Sequence, residues 1–136
     1  MRDYKFRGKT SDGAQWVYGS LINTPDKGPL IEEYDELRRI SSQYLVVPES
    51  VGQCTETRDC VDHEIYEGDI LYDSRDHYVV RYKKEWAAYV VCRISKIDRE
   101  AVFLLDELVN MVVHRLKPMV IGNIFDNPAL MEACDA

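Results

Sequence analysis

The first twenty-two residues constrain the fold more than any other stretch of the chain. Tyr4, Phe6 and Gly8 alternate with Lys5, Arg7 and Lys9, and a period of two puts the two sets on opposite faces of an extended strand. Ser11-Asp12-Gly13 follows and supplies a residue pair that accepts the positive φ of a tight hairpin turn. Beyond it, Trp16, Tyr18 and Ile22 alternate with Val17 and Leu21. The pattern predicts strands at 3–9 and 15–22 joined by that turn.

The rest of the chain extends this to an α+β fold that is mostly β. Two prolines and Gly28 mark 24–29 as a loop. Leu30 to Tyr34 and Tyr44 to Val47 read as strands, giving an N-terminal β-meander of about four strands. Gln53 to His63 is polar and irregular, which predicts a long surface loop or a seam between halves. Glu64 to Tyr72 predicts a turn at Gly68-Asp69 feeding an apolar strand, as at the mouth of a small SH3-like barrel. Tyr78 to Tyr82 and Ala87 to Arg93 are the next two strands. Ser95-Lys96-Ile97-Asp98 has the pattern of a capping box. Ile97, Ala101, Leu104, Leu105, Leu108 and Met111 follow at helical spacing, with a buried strand at Val102 to Leu105 as the alternative reading of 97–110. Met119 to Phe125 predicts a last strand. Asp126 or Asn127 then caps a short helix with Pro128 in its first turn. The expected organisation is one compact domain over 1–136, with a β-meander (1–60) and a small SH3-like barrel-type unit (61–136) as its two parts, and one or two short helices.

Composition narrows the class. Hydrophobic residues make up 46% and charged residues 30%, the balance of a globular domain. Met1 to Arg7 offers no apolar signal-peptide core. The longest apolar run, Trp86 to Cys92, has seven residues, against the ~20 that a spanning helix needs. The expectation is a cytoplasmic protein with no membrane partner. Its thiols, Cys54, Cys60, Cys92 and Cys134, are then reduced and behave as small hydrophobes. The net charge of -7 opposes loose attraction to a phosphate backbone.

Three constellations bear on chemistry. Asp62, Glu64, Glu67 and Asp69, with His63, form a carboxylate-rich cluster that could serve acid–base chemistry or a hard cation. Carboxylates beside a glycine also form turns, and His63 and Glu67 would share a face only on a helix that Gly68 interrupts. Cys54, Cys60, His63, His77 and Cys92 are spaced too irregularly for a structural zinc site. The chain contains no G-x-S-x-G elbow, H-E-x-x-H pair or phosphate-cradling glycine loop. No catalytic residue, metal or cofactor is assigned. Between Arg75 and Arg99 lie seven basic residues (Arg75, Arg81, Lys83, Lys84, Arg93, Lys96, Arg99) against three acidic ones, interleaved with Tyr78, Tyr82, Trp86 and Tyr89. Such a mixture can hold single-stranded nucleic acid. Strand alternation instead sends Tyr78, Val80 and Tyr82 to one face, read as the core, and Arg81 to solvent.

Three segments together resemble the YopX family of phage and prophage proteins. Lys5-Phe6-Arg7 with Trp16-Val17-Tyr18-Gly19 is similar to that family's opening hairpin. Val51-Gly52-Gln53 followed by Glu64-Ile65-Tyr66-Glu67-Gly68-Asp69-Ile70 resembles its central signature, and Val120-Ile121-Gly122-Asn123-Ile124-Phe125-Asp126-Asn127-Pro128-Ala129-Leu130 its C-terminal one. The ordered set is more specific than any one piece. The chain departs from the family between Cys54 and His63, where the usual aromatic, glycine and Asn-Gly turn are missing. The resemblance implies a phage or prophage origin and a β-rich fold, and no activity. Its motif residues, Gly52, Gln53, Glu64, Tyr66, Gly68, Asp69, Gly122, Asn123, Asp126, Asn127 and Pro128, are read as structural. The expected function is a non-enzymatic binding or assembly module that self-associates or meets an unknown protein partner. A nucleic-acid-binding accessory of phage replication or regulation is the alternative.

Overall fold

The computed structural model describes residues 4–13, 15–94, 102–110 and 118–133. The predicted capping box at 95–98, the helical positions Ile97, Ala101 and Met111, and Lys96, Arg99 and Cys134 lie outside the described residues. The fold is mostly β, with two short α-helices among eleven strands in the described residues. The chain forms two compact units, Met1–Cys54 and Thr55–Ala136.

The first unit is the expected meander. Strands β1 (Phe6–Lys9), β2 (Trp16–Thr24), β3 (Gly28–Asp35) and β4 (Ile40–Leu45) pair in succession, each antiparallel to the last. The turn at Asp12-Gly13 forms as its residues dictate, with Gly13 at φ 73° and its N–H donating to the Thr10 carbonyl at 2.7 Å. The predicted loop at 24–29 is shorter in the structure, because β2 runs to Thr24 and β3 starts at Gly28. The Thr24 hydroxyl ties this turn by donating to the Gly28 carbonyl and accepting the Lys27 N–H. Pro29 is accommodated near the start of β3, where a strand tolerates proline. Val46 bridges back to Thr10, and the Val47 N–H donates to the Lys9 carbonyl. The sheet therefore curls onto itself over Val17, Ile31 and Val46.

Strand β5 (Gly52–Arg58) begins in the first unit, where Gly52 and Gln53 pair with Arg7 and Phe6. Gln53 to Arg58 is thus strand, where the sequence predicted a loop or a seam, and the boundary between the two units falls within this segment, after Cys54. Thr55 and Thr57 suit extended backbone, and non-local pairing with β1 and with β6 (Glu64–Tyr66) organises it. The Thr55 hydroxyl donates to the Ile65 carbonyl at 2.7 Å.

The second unit centres on a five-stranded sheet in the order β10-β9-β8-β7-β11. Its members are β7 (Asp69–Tyr72), β8 (His77–Lys83), β9 (Ala88–Arg93), β10 (Val102–Leu104) and β11 (Met119–Asn123). The two readings of 97–110 divide it between them. Val102, Phe103 and Leu104 pair with Cys92, Val91 and Val90, and helix α1 (Leu105–Asn110) follows. A β-branched and an aromatic residue favour the ladder, while Leu105 and Leu108, three apart on one helical face, enter the core. Helix α2 (Pro128–Ala133) starts with Pro128 at its first position, as predicted.

Both faces of this sheet are covered at its middle. Tyr78 and Val80 of β8 pack with Leu71, Val91 and the α1 residues Leu105 and Leu108. Val79 points the other way, toward Ile70, Ile94 and the α2 residues Leu130 and Met131. Each such burial stabilises the fold by about 1.5–3 kcal/mol. Among the described residues, no helix is long and apolar enough to cross a membrane.

Candidate functional site

The central and C-terminal motif residues meet in the second unit. β11 pairs with β7 so that Gly122 faces Ile70 and Asn123 faces Asp69, with a bulge between Val120 and Gly122. Gly68 sits at φ 92°, a conformation that costs a side chain strain. Its N–H donates to the Val80 carbonyl and its carbonyl accepts the Ile124 N–H. The buried Asp69 carboxylate accepts the Tyr66 N–H at 2.7 Å. The Asn123 side-chain oxygen accepts the Phe125 and Asp126 N–H groups. The Asn127 side chain turns back to accept the Asn123 N–H, so it ties the strand end instead of the helix. Gly52 and Gln53 belong to the first unit, on the ladder with β1.

The structure disperses the acidic cluster. Asp62 and Glu64 both pair with Arg58, at 3.8 and 3.4 Å, and Glu64 also accepts the Tyr66 hydroxyl. Glu67 is half-buried, and burial pushes its carboxyl above the usual range, with the Arg81 guanidinium partly opposing. His63 is exposed and uses its N–H on Asp59. Cys60 and Cys92 are free thiols, and His77 stacks on Tyr72. Among the described residues, no three His, Cys, Asp or Glu side chains form a group able to hold a metal ion.

The basic segment is split into two groups. Arg75 and Arg93 lie at one end of the β8–β9 ladder, and Arg81, Lys83 and Lys84 at the other. β8 alone is seven residues long, so the ends are about 20 Å apart. The expected placement of the aromatics is corrected. Tyr78 is buried, but Tyr82 and Trp86 are 49% and 48% exposed. The helices that cover β8 at Tyr78–Val80 do not shield residues 81–86, so alternation there no longer separates core from solvent. Tyr82 and Tyr89 meet edge to face at 5.3 Å, and the Lys83 ammonium lies 3.9 Å from the Trp86 ring centre. A shallow groove beside Trp86 runs along Val102, Phe103 and Leu104 to Glu107.

At the Tyr78 end of the ladder, sharing Phe103 and Glu107 with that groove, lies a cavity of about 210 Å³, walled by Asp73, Asp76, Tyr78, Arg93, Phe103 and Glu107. Its base is rigid. Asp73, 3% exposed, accepts the N–H groups of Arg75 and Asp76 on one oxygen and the Tyr78 hydroxyl on the other. Burial and the adjacent Asp73 carboxylate push the Tyr78 hydroxyl up to about 12. The Arg93 guanidinium lies 5.8 Å from the Phe103 ring centre, with Asp76 3.8 Å from its Nε. Sequence reading singled out only the arginines and Tyr78 here. The one available signal was Asp73-Ser74-Arg75-Asp76, whose aspartate suits a turn between strands.

A family model described as YopX protein matches residues 5–132. No curated protein matches the chain. Among solved structures, the chain is similar to the crystal structure of protein EF1440 from Enterococcus faecalis. The identity is 20% over 96% of this chain and 99% of that one, with a TM-score of 0.49. With the match running from the opening hairpin to the last helix, the chain belongs to the YopX protein family.

Proposed function

We propose that this protein is a non-enzymatic phage or prophage accessory, working in the host cytoplasm as a binding or assembly module that self-associates through protein contacts. One observation carries the reading. Tyr82, Trp86 and Phe103 are 36–49% exposed, and Trp86 and Phe103 line one groove. Exposed tyrosine and tryptophan beside a groove are the side chains on which interface energy concentrates. Light scattering tests it. The expected result is an apparent mass of at least two chains, little changed by salt, because apolar burial is not screened.

A second reading, nucleic-acid binding, is favoured by Arg81, Lys83 and Lys84 beside Tyr82 and Trp86. It ranks lower because Lys83 covers a face of Trp86, Tyr82 is engaged with Tyr89, and the whole chain carries -7. An electrophoretic shift with single- and double-stranded DNA separates the two. A monomer that binds DNA with steep salt dependence would reverse the ranking.

A further inference from the structure

The cavity at the Tyr78 end of the β8–β9 ladder is lined by several charged groups. The Asp73 carboxylate is occupied by two backbone N–H groups and the Tyr78 hydroxyl. The side chains of Arg75, Arg93, Asp76 and Glu107 make no hydrogen bond to any described residue. With Asp73, the lining carries two positive and three negative charges around one opening. Arg93 is nevertheless held in place, between the Phe103 ring and the Asp76 carboxylate. A guanidinium positioned in this way can donate to an acceptor without losing much side-chain freedom on binding.

These groups limit what can enter. A phosphate or carboxylate would meet Asp76 and Glu107, and an ammonium would meet Arg75 and Arg93. This mixture of signs suits an uncharged ligand that offers acceptors to arginine and donors to carboxylate. The walls given by Phe103, Leu108 and the Tyr78 ring suit a flat apolar body. At about 210 Å³ the space falls below the ~300–1,000 Å³ of sites for larger ligands, and admits a single ring system.

We propose that this cavity binds one small uncharged ring carrying a carbonyl next to an N–H, the edge that the lactam nucleobases uracil and guanine present. Arg93 donates to the ring carbonyl, as arginine does to guanine. Asp76 or Glu107 accepts the neighbouring N–H, and Phe103 supports the ring, as aromatic side chains do for unstacked bases. The Tyr78–Asp73 hydrogen bond keeps the base of the cavity rigid. The site shares Phe103 and Glu107 with the groove beside Trp86, whereas Asp76 and Arg93 line the cavity alone.

Titration of the isotope-labelled full chain with uridine, guanosine, 3-methyluridine and phenylalanine, followed by amide chemical shifts, tests this. Uridine or guanosine is expected to shift the amides of Tyr78, Arg93 and Phe103, with a Kd of about 1 mM or tighter. 3-Methyluridine, which lacks the ring N–H, is expected to bind about tenfold more weakly than uridine, since it leaves a carboxylate unpaired. Arg93→Gln should weaken uridine about tenfold, while Lys27→Ala, at an exposed position in the turn between β2 and β3, leaves binding unchanged. If Arg93→Gln fails to fold, the comparison of uridine with 3-methyluridine on the parent protein decides. The proposal is overturned if neither nucleoside shifts these amides, if N-methylation leaves the affinity unchanged, or if phenylalanine binds and the nucleosides do not.

Discussion

The Asn127 side chain lies directly over Gly122. A Cβ built on Gly122 would stand 2.5 Å from Asn127 Oδ1 and 2.9 Å from its Cγ, and that same oxygen accepts the Asn123 N–H at 3.2 Å. The absence of a side chain at 122 lets the residue before α2 reach back and tie the end of β11.

Gly122→Ala should therefore displace the Asn127 amide and destabilise the protein by about 1 kcal/mol, the value of one hydrogen bond. Asn127→Ala alone removes the bond without crowding. In that background Gly122→Ala should cost less, with a coupling of about 0.5 kcal/mol or more. Urea denaturation of the four proteins measures it, and additive effects would show that the two residues do not interact.

Gly68 presents a backbone constraint instead of a close contact. At φ 92°, with its N–H and carbonyl both engaged by β8 and the end of β11, it cannot relax without breaking the corner. Gly68→Val should destabilise by about 1–3 kcal/mol, and Gly68→Asn by less, because asparagine tolerates positive φ better. Equal melting of parent and valine variant would remove the assignment.

Tyr78 makes stability fall at alkaline pH. Burial, then the Asp73 carboxylate, raise its hydroxyl to about 12 in the folded protein, against about 10 in the unfolded chain. The folded state holds the proton more tightly, so the contribution is complete below about pH 10 and is lost as the pH rises toward about 12. Denaturant melts across this range should show a steeper loss for the parent than for Tyr78→Phe. The variant should also be about 1 kcal/mol less stable near neutrality, having lost the bond to Asp73. Parallel pH profiles would contradict this.

The exposed aromatics carry the proposed assembly. Replacing Tyr82 and Trp86 together with serine should lower the apparent mass in light scattering toward that of a single chain. The thermal melt at low protein concentration should change little, within about 0.5 kcal/mol per site, as for surface positions elsewhere. An unchanged mass would place any self-association on another surface.

The sequence by itself determined the elements whose cause is local. Alternation at 4–9 and 16–22 produced β1 and β2, Asp12-Gly13 and Gly68 set turns through permitted φ, and Pro128 started α2. These depend on steric limits and hydrogen bonds within a few residues, so their signals are written in neighbouring letters. Tertiary structure decided the rest. The polar stretch 52–58 became a strand because β1 and β6 offered it backbone partners. Val102–Leu104 joined β9 while Leu105 turned into a helix, since the ladder and the core under α1 reward different residues of one apolar run. Tyr78 and Tyr82 share a strand and a parity, yet one is buried and the other open. Alternation assigns a residue to a face of the sheet. Whether that face is covered depends on where α1 and α2 pack, through contacts distant in sequence. The cavity at Asp73, Arg93, Phe103 and Glu107 arises in the same way, from four separate segments that only the folded sheet and helix bring together.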